Sequence, residues 1–349
     1  MSTILCTLYN SLYLDKGLVL YDSLCQCSND FKLYVLCMDD KCYEVLTELK
    51  QENHIPIRLK EMEEGDNALL TAKSNRPIGE YCWTCSSSLI RYILKKYNEP
   101  ICTYIDADMY FYSDPQVLVD EMMNLGKSAM VIPHRFPAGK DKLAQKVGTY
   151  CVEFNTFVNN AEGLEVLEYW RNRCLECCSN IGDGIHWGDQ KYLDELVENF
   201  PCVHVCQNNG AGVAPWNIPM YKDKDIVNTN MLFYKPLCIN VPLIFYHYQS
   251  VKYINRDVIN TGVIIEHSID KRLVDNLYFP YLKKIESKKK MLESKYSIST
   301  LITRHPTSKK LSIWNKLLKK MNPINMAFAI KNRMQNKRLY IVNINSCLL

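Results

Sequence analysis

Residues Pro100–Pro115 read PICTYIDADMYFYSDP, in which the apolar run Ile101–Ile105 leads directly into two aspartates, Asp106 and Asp108. The run predicts a buried strand, the fourth along the chain. Side chains at positions i and i+2 point to the same side of an extended chain, so both carboxylates can reach one cation. Ligands of open α/β sheets bind at the carboxyl ends of the strands, and Mn²⁺ or Mg²⁺ accepts carboxylate oxygens. The stretch therefore predicts a divalent-metal site, with a pair of solvated turn aspartates as the plain alternative.

Strand and helix patterns alternate on both sides of this stretch. The other predicted strands are Thr3–Tyr9, Phe31–Met38, Pro56–Leu59, Ser128–Pro133, Val152–Val158, Cys202–Cys206 and Ile239–Tyr248. The predicted helices are Gly17–Cys25, Asp39–Gln51, Ile78–Tyr97, Leu164–Cys178, Asp189–Phe200 and Asn276–Met291. Repeated strand–helix units favour a mixed, mainly parallel sheet flanked by helices, which is an α/β fold.

Charge divides the 349 residues into two parts. The whole chain has 47% hydrophobic and 23% charged residues, with a net charge of +4, a composition that argues against disorder. From Ser294 onward there are 11 Lys or Arg residues and no Asp or Glu, which leaves 31 basic and 38 acidic residues before it. The strand and helix pattern of the main body ends near Glu266, and we expect an α/β domain over residues 1–270 and a helical, basic extension over residues 271–349.

The cysteines and the first residues bear on the compartment. The chain has 16 cysteines, and Met1 leads almost at once into the strand-like run Thr3–Tyr9 without a signal-peptide pattern. Reduced thiols are the rule in the cytosol. No run of 18 apolar residues is present. These observations predict a cytoplasmic protein with free thiols.

The basic extension contains Leu311–Met321 (LSIWNKLLKKM), in which apolar and lysine side chains fall on different faces of a helix. Such a helix is typical of peripheral binding to an anionic membrane surface, which here would be the inner face of the membrane. A packed or disordered basic extension is the alternative. Because no recognition motif accompanies the charge, we do not expect nucleic acid as a partner.

In their order, the motifs resemble those of the GT-A nucleotide-sugar transferases. The resemblance is strongest to glycosyltransferase family eight, which includes glycogenin and bacterial lipooligosaccharide and surface-polysaccharide sugar transferases. It covers about the first 270 residues, and its matching stretches are Tyr104–Pro115 (YIDADMYFYSDP), Phe154–Phe157 (FNTF), Gly188–Leu193 (GDQKYL), Asn208–Asn217 (NNGAGVAPWN) and His247.

The resemblance implies roles for individual residues. It implies that Asp106, Asp108 and His247 hold Mn²⁺ (or Mg²⁺), which binds the donor diphosphate, and that Asp106 also touches the nucleotide. It further implies that the donor sugar and the acceptor are handled by Asn155, Asp189 and Gln190. From the residues alone, a single histidine at a strand end such as His247 is more often structural, and Asp189 is as readily a helix N-cap.

Other positions follow the family less closely. Where the family has a Gly and a Lys after the late His, this chain has Ser250 and Tyr253, so Lys252 becomes the candidate diphosphate contact. Trp216, in a glycine-containing loop, is a candidate for stacking on an acceptor sugar. The nucleotide contacts of the first strand are assigned to Thr7, Tyr9 and Tyr13.

The implied activity is metal-dependent transfer of a hexose from a nucleotide diphosphate sugar, with UDP favoured, to a glycan or glycolipid acceptor. We expect retention of configuration and a place in surface-polysaccharide or lipooligosaccharide synthesis. Three other readings stay open: a nucleotidyltransferase, a haloacid-dehalogenase-type phosphotransferase, and a non-catalytic protein that binds nucleotide sugars. The first usually carries a Gly-rich loop after its first strand, whereas Thr7–Gly17 has a single glycine. The second usually carries Asp-x-Asp after its first strand.

Overall fold

The computed structural model describes residues 2–179, 186–264, 269–300 and 339–343. Its strands are β1 (Thr3–Tyr9), β2 (Phe31–Cys37), β3 (His54–Arg58), β4 (Ile101–Ile105), β5 (Met109–Phe111), β6 (Ala129–Pro133), β7 (Tyr150–Val158), β8 (Val203–Val205), β9 (Tyr221–Asp223), β10 (Met231–Tyr234), β11 (Ile239–Pro242), β12 (Phe245–His247), β13 (Lys252–Tyr253), β14 (Val258–Ile264) and β15 (Leu339–Asn343). Its helices are α1 (Leu14–Cys27), α2 (Asp40–Leu49), α3 (Leu59–Glu63), α4 (Asn67–Asn75), α5 (Ile78–Lys96), α6 (Gln116–Asn124), α7 (Asp141–Val147), α8 (Ala161–Glu176), α9 (Tyr192–Asn199), α10 (Ile226–Thr229) and α11 (Lys271–Tyr296).

A seven-stranded sheet forms the centre, in the order β3-β2-β1-β4-β7-β6-β8. The pairs β3–β2, β2–β1, β1–β4 and β6–β8 are parallel, whereas β7 runs antiparallel to both β4 and β6. Strands such as β1 and β4 are almost wholly buried, as expected where helices cover both faces of a sheet. The predicted fold class, a mixed and mainly parallel sheet flanked by helices, is confirmed.

Two strand pairings bring the motifs together. In the pair β4–β7, Tyr104 lies opposite Asn155. Just beyond the end of β4, the short strand β5 pairs antiparallel with β12, so that Met109 lies opposite His247. The tertiary fold therefore carries the late histidine back to the Asp-x-Asp segment.

Several predicted elements have other bounds in the structure, and two of these differences bear on the site. The predicted strand Ile239–Tyr248 is divided into β11 and β12, because Pro242 has no backbone N–H to continue a ladder. The next two amides bond elsewhere, Leu243 N to Asn230 O at 2.7 Å and Ile244 N to Gly210 O at 2.9 Å. The predicted helix Asp189–Phe200 begins only at Tyr192.

The last long helix, α11, extends beyond the predicted Asn276–Met291 at both ends. It begins at the N-cap Asp270, whose side chain accepts the backbone N–H of Arg272 at 3.0 Å. It packs against α1 and buries Leu277, Tyr278 and Tyr281. The division of the chain at residue 270 stays a prediction, and Leu311–Met321 lies outside the described residues.

Two further observations concern the compartment predictions. None of the helices in the described ranges combines the length and apolarity needed to cross a bilayer. The 15 cysteines of the described residues are free thiols, and most of them are buried or half-buried.

Gly163 provides a test of the packing at the start of α8. A Cβ added there would lie 2.2 Å from Val158 O and 2.8 Å from Ser128 O, so we expect Gly163→Ala to cost on the order of 2 kcal/mol or more of unfolding free energy. Gly79, in α5, is the matched control because a Cβ there meets nothing within 4 Å. Gly79→Ala is expected to be neutral or to stabilise by up to about 1 kcal/mol. Chemical denaturation measures both, and equal effects would contradict the packing described.

Candidate functional site

Asp106, Asp108 and His247 converge at the carboxyl end of β4. His247 Nε2 lies 3.0 Å from Asp108 Oδ1 and 3.6 Å from Asp106 Oδ2. One ligand atom from each residue lies within 4.8 Å of the others, which is close enough for all three to bind one ion. Two carboxylate oxygens and one imidazole nitrogen make a donor set that suits Mn²⁺. We call Asp106, Asp108 and His247 the metal triad.

Glu153, on β7, contacts the ring nitrogen of His247 that does not face the aspartates. His247 Nδ1 lies 2.6 Å from Glu153 Oε2, and the Glu153 carboxylate is fully buried. When Nδ1 carries the proton and donates a hydrogen bond to Glu153, Nε2 keeps a free lone pair that can bind a metal. Sequence reasoning missed this residue, although a carboxylate within a strand that is otherwise uncharged was a usable signal.

The charges of the triad are strongly coupled. Burial raises the pKa of Asp106 to about 6; the charge of His247 lowers it, and those of Asp108 and Glu153 raise it. Burial also acts to raise the pKa of Asp108, but the His247 charge and hydrogen bond outweigh it, and the net shift is downward. Burial alone would lower the pKa of His247. The charge and hydrogen bond of Asp108 and the hydrogen bonds with Cys151 and Glu153 instead raise this pKa well above the ordinary value. Negative charge thus exceeds positive charge here, and a divalent cation can replace the proton on Nε2.

Asp189 is buried between α5 and α8. Its Oδ2 accepts a hydrogen bond from Ser86 Oγ at 2.7 Å, and its carbonyl oxygen accepts one from Trp170 Nε1 at 2.9 Å. It is not a helix N-cap, because α9 begins three residues later. Burial raises the pKa of Asp189 to about 7, the Ser86 hydrogen bond lowers it, and the charge of Asp106 raises it. Asp189 therefore lies within electrostatic reach of the triad.

The other predicted sugar-site residues occupy distinct places. Asn155 is fully buried, and its Oδ1 has no hydrogen-bond partner among the described residues. Gln190 Nε2 donates to Val147 O at 2.6 Å. The Trp216 ring packs edge-on against His247 with 5.6 Å between ring centroids, while its Nε1 donates to His134 O at 2.9 Å. Trp216 thus lies directly beside the triad.

Of the predicted nucleotide contacts, Tyr13 interacts electrostatically with the triad, whereas Tyr9 and Lys252 have other surroundings. Tyr13 faces the triad: burial raises its pKa, and the charges of Asp108, Asp15 and Asp106 raise it further. Thr7 is buried with no partner for its hydroxyl in the described part of the chain. Tyr9 instead points its hydroxyl at His54 Nε2, 3.2 Å away, and Lys252 is exposed on β13.

The fold and the site define a class of protein: an α/β protein whose mainly parallel sheet carries, at the end of one strand, two aspartates and a histidine that could hold a metal ion. The chain belongs to the family of YfnD and YfnF of Bacillus subtilis (strain 168), both described as uncharacterized proteins. It is 31% identical to YfnD over 281 residues, covering 79% of this chain and 86% of YfnD. It is 32% identical to YfnF over 266 residues, covering 73% of this chain and 84% of YfnF. No family model matches the chain.

Two solved structures of glycosyltransferases align with part of this chain. Mouse xyloside xylosyltransferase 1 aligns with a TM-score of 0.47 and 13% identity, over 71% of this chain and 98% of that one. The galactosyltransferase LgtC, in complex with donor and acceptor sugar analogs, aligns with a TM-score of 0.47 and 13% identity, over 71% and 87% of the two chains.

Replacing Glu153 tests the support of His247. We expect Glu153→Gln to weaken Mn²⁺ binding about 10- to 100-fold, because the amide no longer fixes the imidazole with a charged hydrogen bond. The matched control is Glu121→Gln, since Glu121 Oε1 bonds His204 Nε2 at 2.7 Å in a pair that shares no residue with the triad. Isothermal titration calorimetry with Mn²⁺ measures both, and equal affinities in the two variants would contradict the role of Glu153.

Asp189 makes stability depend on pH. Its pKa is about 7 in the folded chain against 3.8 for an ordinary carboxyl, so the native state binds the extra proton between these values. Stability conferred by this group is present at low pH and is lost as pH rises through the window. We therefore compare the free energy of unfolding of Asp189→Asn with that of the unmodified chain, both without metal. We expect the difference in favour of the variant to be about 4 kcal/mol larger at pH 8 than at pH 4. Urea unfolding across pH measures this, with the exposed Asp141→Asn as control; a parallel shift at all pH values would contradict it.

Proposed function

We propose that this chain is a metal-dependent GT-A glycosyltransferase of the family-eight type. It transfers a hexose from a nucleotide diphosphate sugar, with UDP favoured, to a hydroxyl group of a glycan or glycolipid. The observation that carries the proposal is the convergence of Asp106, Asp108 and His247 within 4.8 Å of one another, with the buried carboxyl of Asp189 nearby.

The chemistry of sugar transfer needs charge stabilisation at one place. When the bond between the donor sugar and its diphosphate breaks, negative charge grows on the diphosphate and positive charge on the sugar. Mn²⁺ (or Mg²⁺) held by the triad supplies Lewis-acid stabilisation of that negative charge. The chain's own part is to keep both carboxylates and Nε2 of His247 directed at one point, which Glu153 assists by holding Nδ1.

The remaining site residues position the reacting sugars. The side-chain oxygen of Asn155 is buried and has no hydrogen-bond partner in the described residues. It could accept a hydrogen bond from a hydroxyl group of the sugar. Asp189 has a buried carboxylate that accepts a hydrogen bond from Ser86 and that we assign to the sugar-binding site. Gln190 follows it directly in the chain. We propose retention of configuration; if Asp189 instead removes the acceptor proton as a general base, the product is inverted.

The acceptor side of the proposal rests on Trp216, whose indole is half-buried beside His247. An aromatic ring offers a flat apolar surface for a pyranose. We propose an acceptor belonging to surface-polysaccharide or lipooligosaccharide synthesis.

The decisive experiment removes the carboxylates singly. We expect Asp106→Ala and Asp108→Ala to lower turnover at least about 100-fold with Mn²⁺ and a panel of UDP-sugars, because the departing diphosphate loses its charge stabilisation. The control is Asp114→Ala from the same stretch, since Asp114 Oδ1 accepts from Gln116 N at 3.0 Å at the start of α6 rather than in the triad.

Full turnover in both triad variants would refute the proposal. Pyrophosphate release from a nucleoside triphosphate would favour the nucleotidyltransferase reading, and an acid-stable burst of phosphate the phosphotransferase reading. Donor binding without turnover on any acceptor would favour a binding protein.

A further inference from the structure

Lys16, on α1, is a buried lysine with few partners. The residue is 6% exposed, and its Nζ lies 3.6 Å from Asp15 Oδ1 and 4.3 Å from the centre of the Tyr13 ring. An ammonium group has three N–H donors, and 3.6 Å is too long for a hydrogen bond. Among the described residues, the structure shows no hydrogen bond from this Nζ. A buried cation in this state is poorly compensated.

Asp15 does not depend on Lys16 Nζ for its own hydrogen bonds. Its Oδ1 accepts the backbone N–H of Lys16 at 2.8 Å, and its Oδ2 accepts the Thr300 hydroxyl at 2.8 Å. The ammonium of Lys16 is therefore not needed to satisfy this carboxylate. The positive charge of Lys16 also acts on the triad. Burial raises the pKa of Asp108, His247 lowers it, and the charge of Lys16 makes a smaller contribution in the same direction as His247.

A second unsatisfied donor comes from α11. Tyr281 is 2% exposed, and its hydroxyl has no hydrogen-bond partner in the described ranges. The ring stacks on Tyr248 with 3.6 Å between centroids and 5° between planes. Tyr248 directly follows the ligand His247, and its backbone N–H donates to Asp108 O at 2.8 Å. The Tyr281 ring thus packs against the segment that carries the triad.

The same neighbours surround both donors. Burial raises the pKa of the Tyr281 hydroxyl well above its ordinary value, and the charges of Asp108 and Asp15 and the phenol of Tyr13 raise it further. Asp15 and Tyr13 are also the partners of Lys16. Since α1 packs on α11 and the Tyr281 ring stacks on the residue that follows His247, the ammonium and the hydroxyl lie on two helices that meet beside the triad.

We propose that Lys16 and Tyr281 bind the diphosphate of a nucleoside diphosphate, in a pocket that α1 and α11 form beside the metal triad. The ammonium supplies a point charge and the hydroxyl a donor to phosphate oxygens. This inference rests on the proposed function and takes from Lys252 the role that its sequence position suggested. It also makes a helix beyond residue 270 part of the donor site.

The test measures binding of a nucleoside diphosphate and of its nucleoside separately. UDP, GDP and ADP are each titrated into the full chain in the presence of Mn²⁺, and their affinities are measured by calorimetry. For the nucleoside diphosphate that binds, the affinity of the corresponding nucleoside is measured by ligand-observed NMR. We expect Lys16→Met to weaken diphosphate binding at least about 10-fold, because a charged hydrogen bond is lost, and to leave nucleoside binding unchanged. Lys16→Arg should retain most of the affinity.

Two more variants complete the design. Tyr281→Phe keeps the ring stacking and is expected to weaken diphosphate binding about 3- to 10-fold, which probes the pocket even if Lys16→Met folds poorly. Lys252→Met is the matched control and should change the affinity less than about 2-fold, because this lysine is exposed on β13.

Three results would overturn the inference. One is equal weakening of nucleoside and nucleoside diphosphate, and another is a Lys252→Met effect as large as that of Lys16→Met. The third is unchanged diphosphate affinity in Lys16→Met and Tyr281→Phe while the unmodified chain binds, which leaves the proposed function standing. If the unmodified chain binds none of the three nucleoside diphosphates with Mn²⁺, both proposals fail together.

Discussion

The imidazole of His247 is held at both nitrogens, by Glu153 at 2.6 Å and by Asp108 at 3.0 Å. These contacts join three separate parts of the chain, because Glu153 belongs to β7, Asp108 follows β4 and His247 ends β12. The pairing of β12 with β5 sets the register that brings His247 opposite Met109. If this register slipped by one residue, the imidazole would face the other side of the strand, and the triad would not assemble.

The site concentrates unfavourable interactions that a merely structural region would avoid. Burial raises the pKa values of Asp106 and Asp189 to about 6 and about 7. Polar atoms of Asn155, Glu153 and Tyr281 are buried without hydrogen-bond partners in the described residues. Native proteins satisfy nearly all such groups, so unsatisfied atoms gathered near one centre indicate groups reserved for a ligand. Such a concentration of unfavourable interactions is common at functional sites and supports the proposed function.

Sequence reasoning succeeded where the signal was local. The bounds of β1 and β4 were predicted to the residue, because each is a run of apolar residues and threonines that ends at a polar residue, Asn10 or Asp106. It failed where a side chain took a distant partner. The predicted helix start at Asp189 was wrong because that carboxylate bonds to Ser86, 103 residues away, rather than capping α9. The division near residue 270 stays a prediction; the helix α11, which lies beyond it, buries one face and packs against α1.

The sequence by itself determined that a pair of carboxylates ends a buried strand of an α/β sheet, because alternation along a strand and the position of its end are properties of neighbouring residues. The order of the motifs added His247, Asn155 and Asp189 as candidates. Only the tertiary structure decided that Glu153 contacts His247 and that α1, which carries Lys16, packs on α11, which carries Tyr281. These residues are brought together by strand register and helix packing across more than 90 positions of sequence, and no local pattern encodes such a contact.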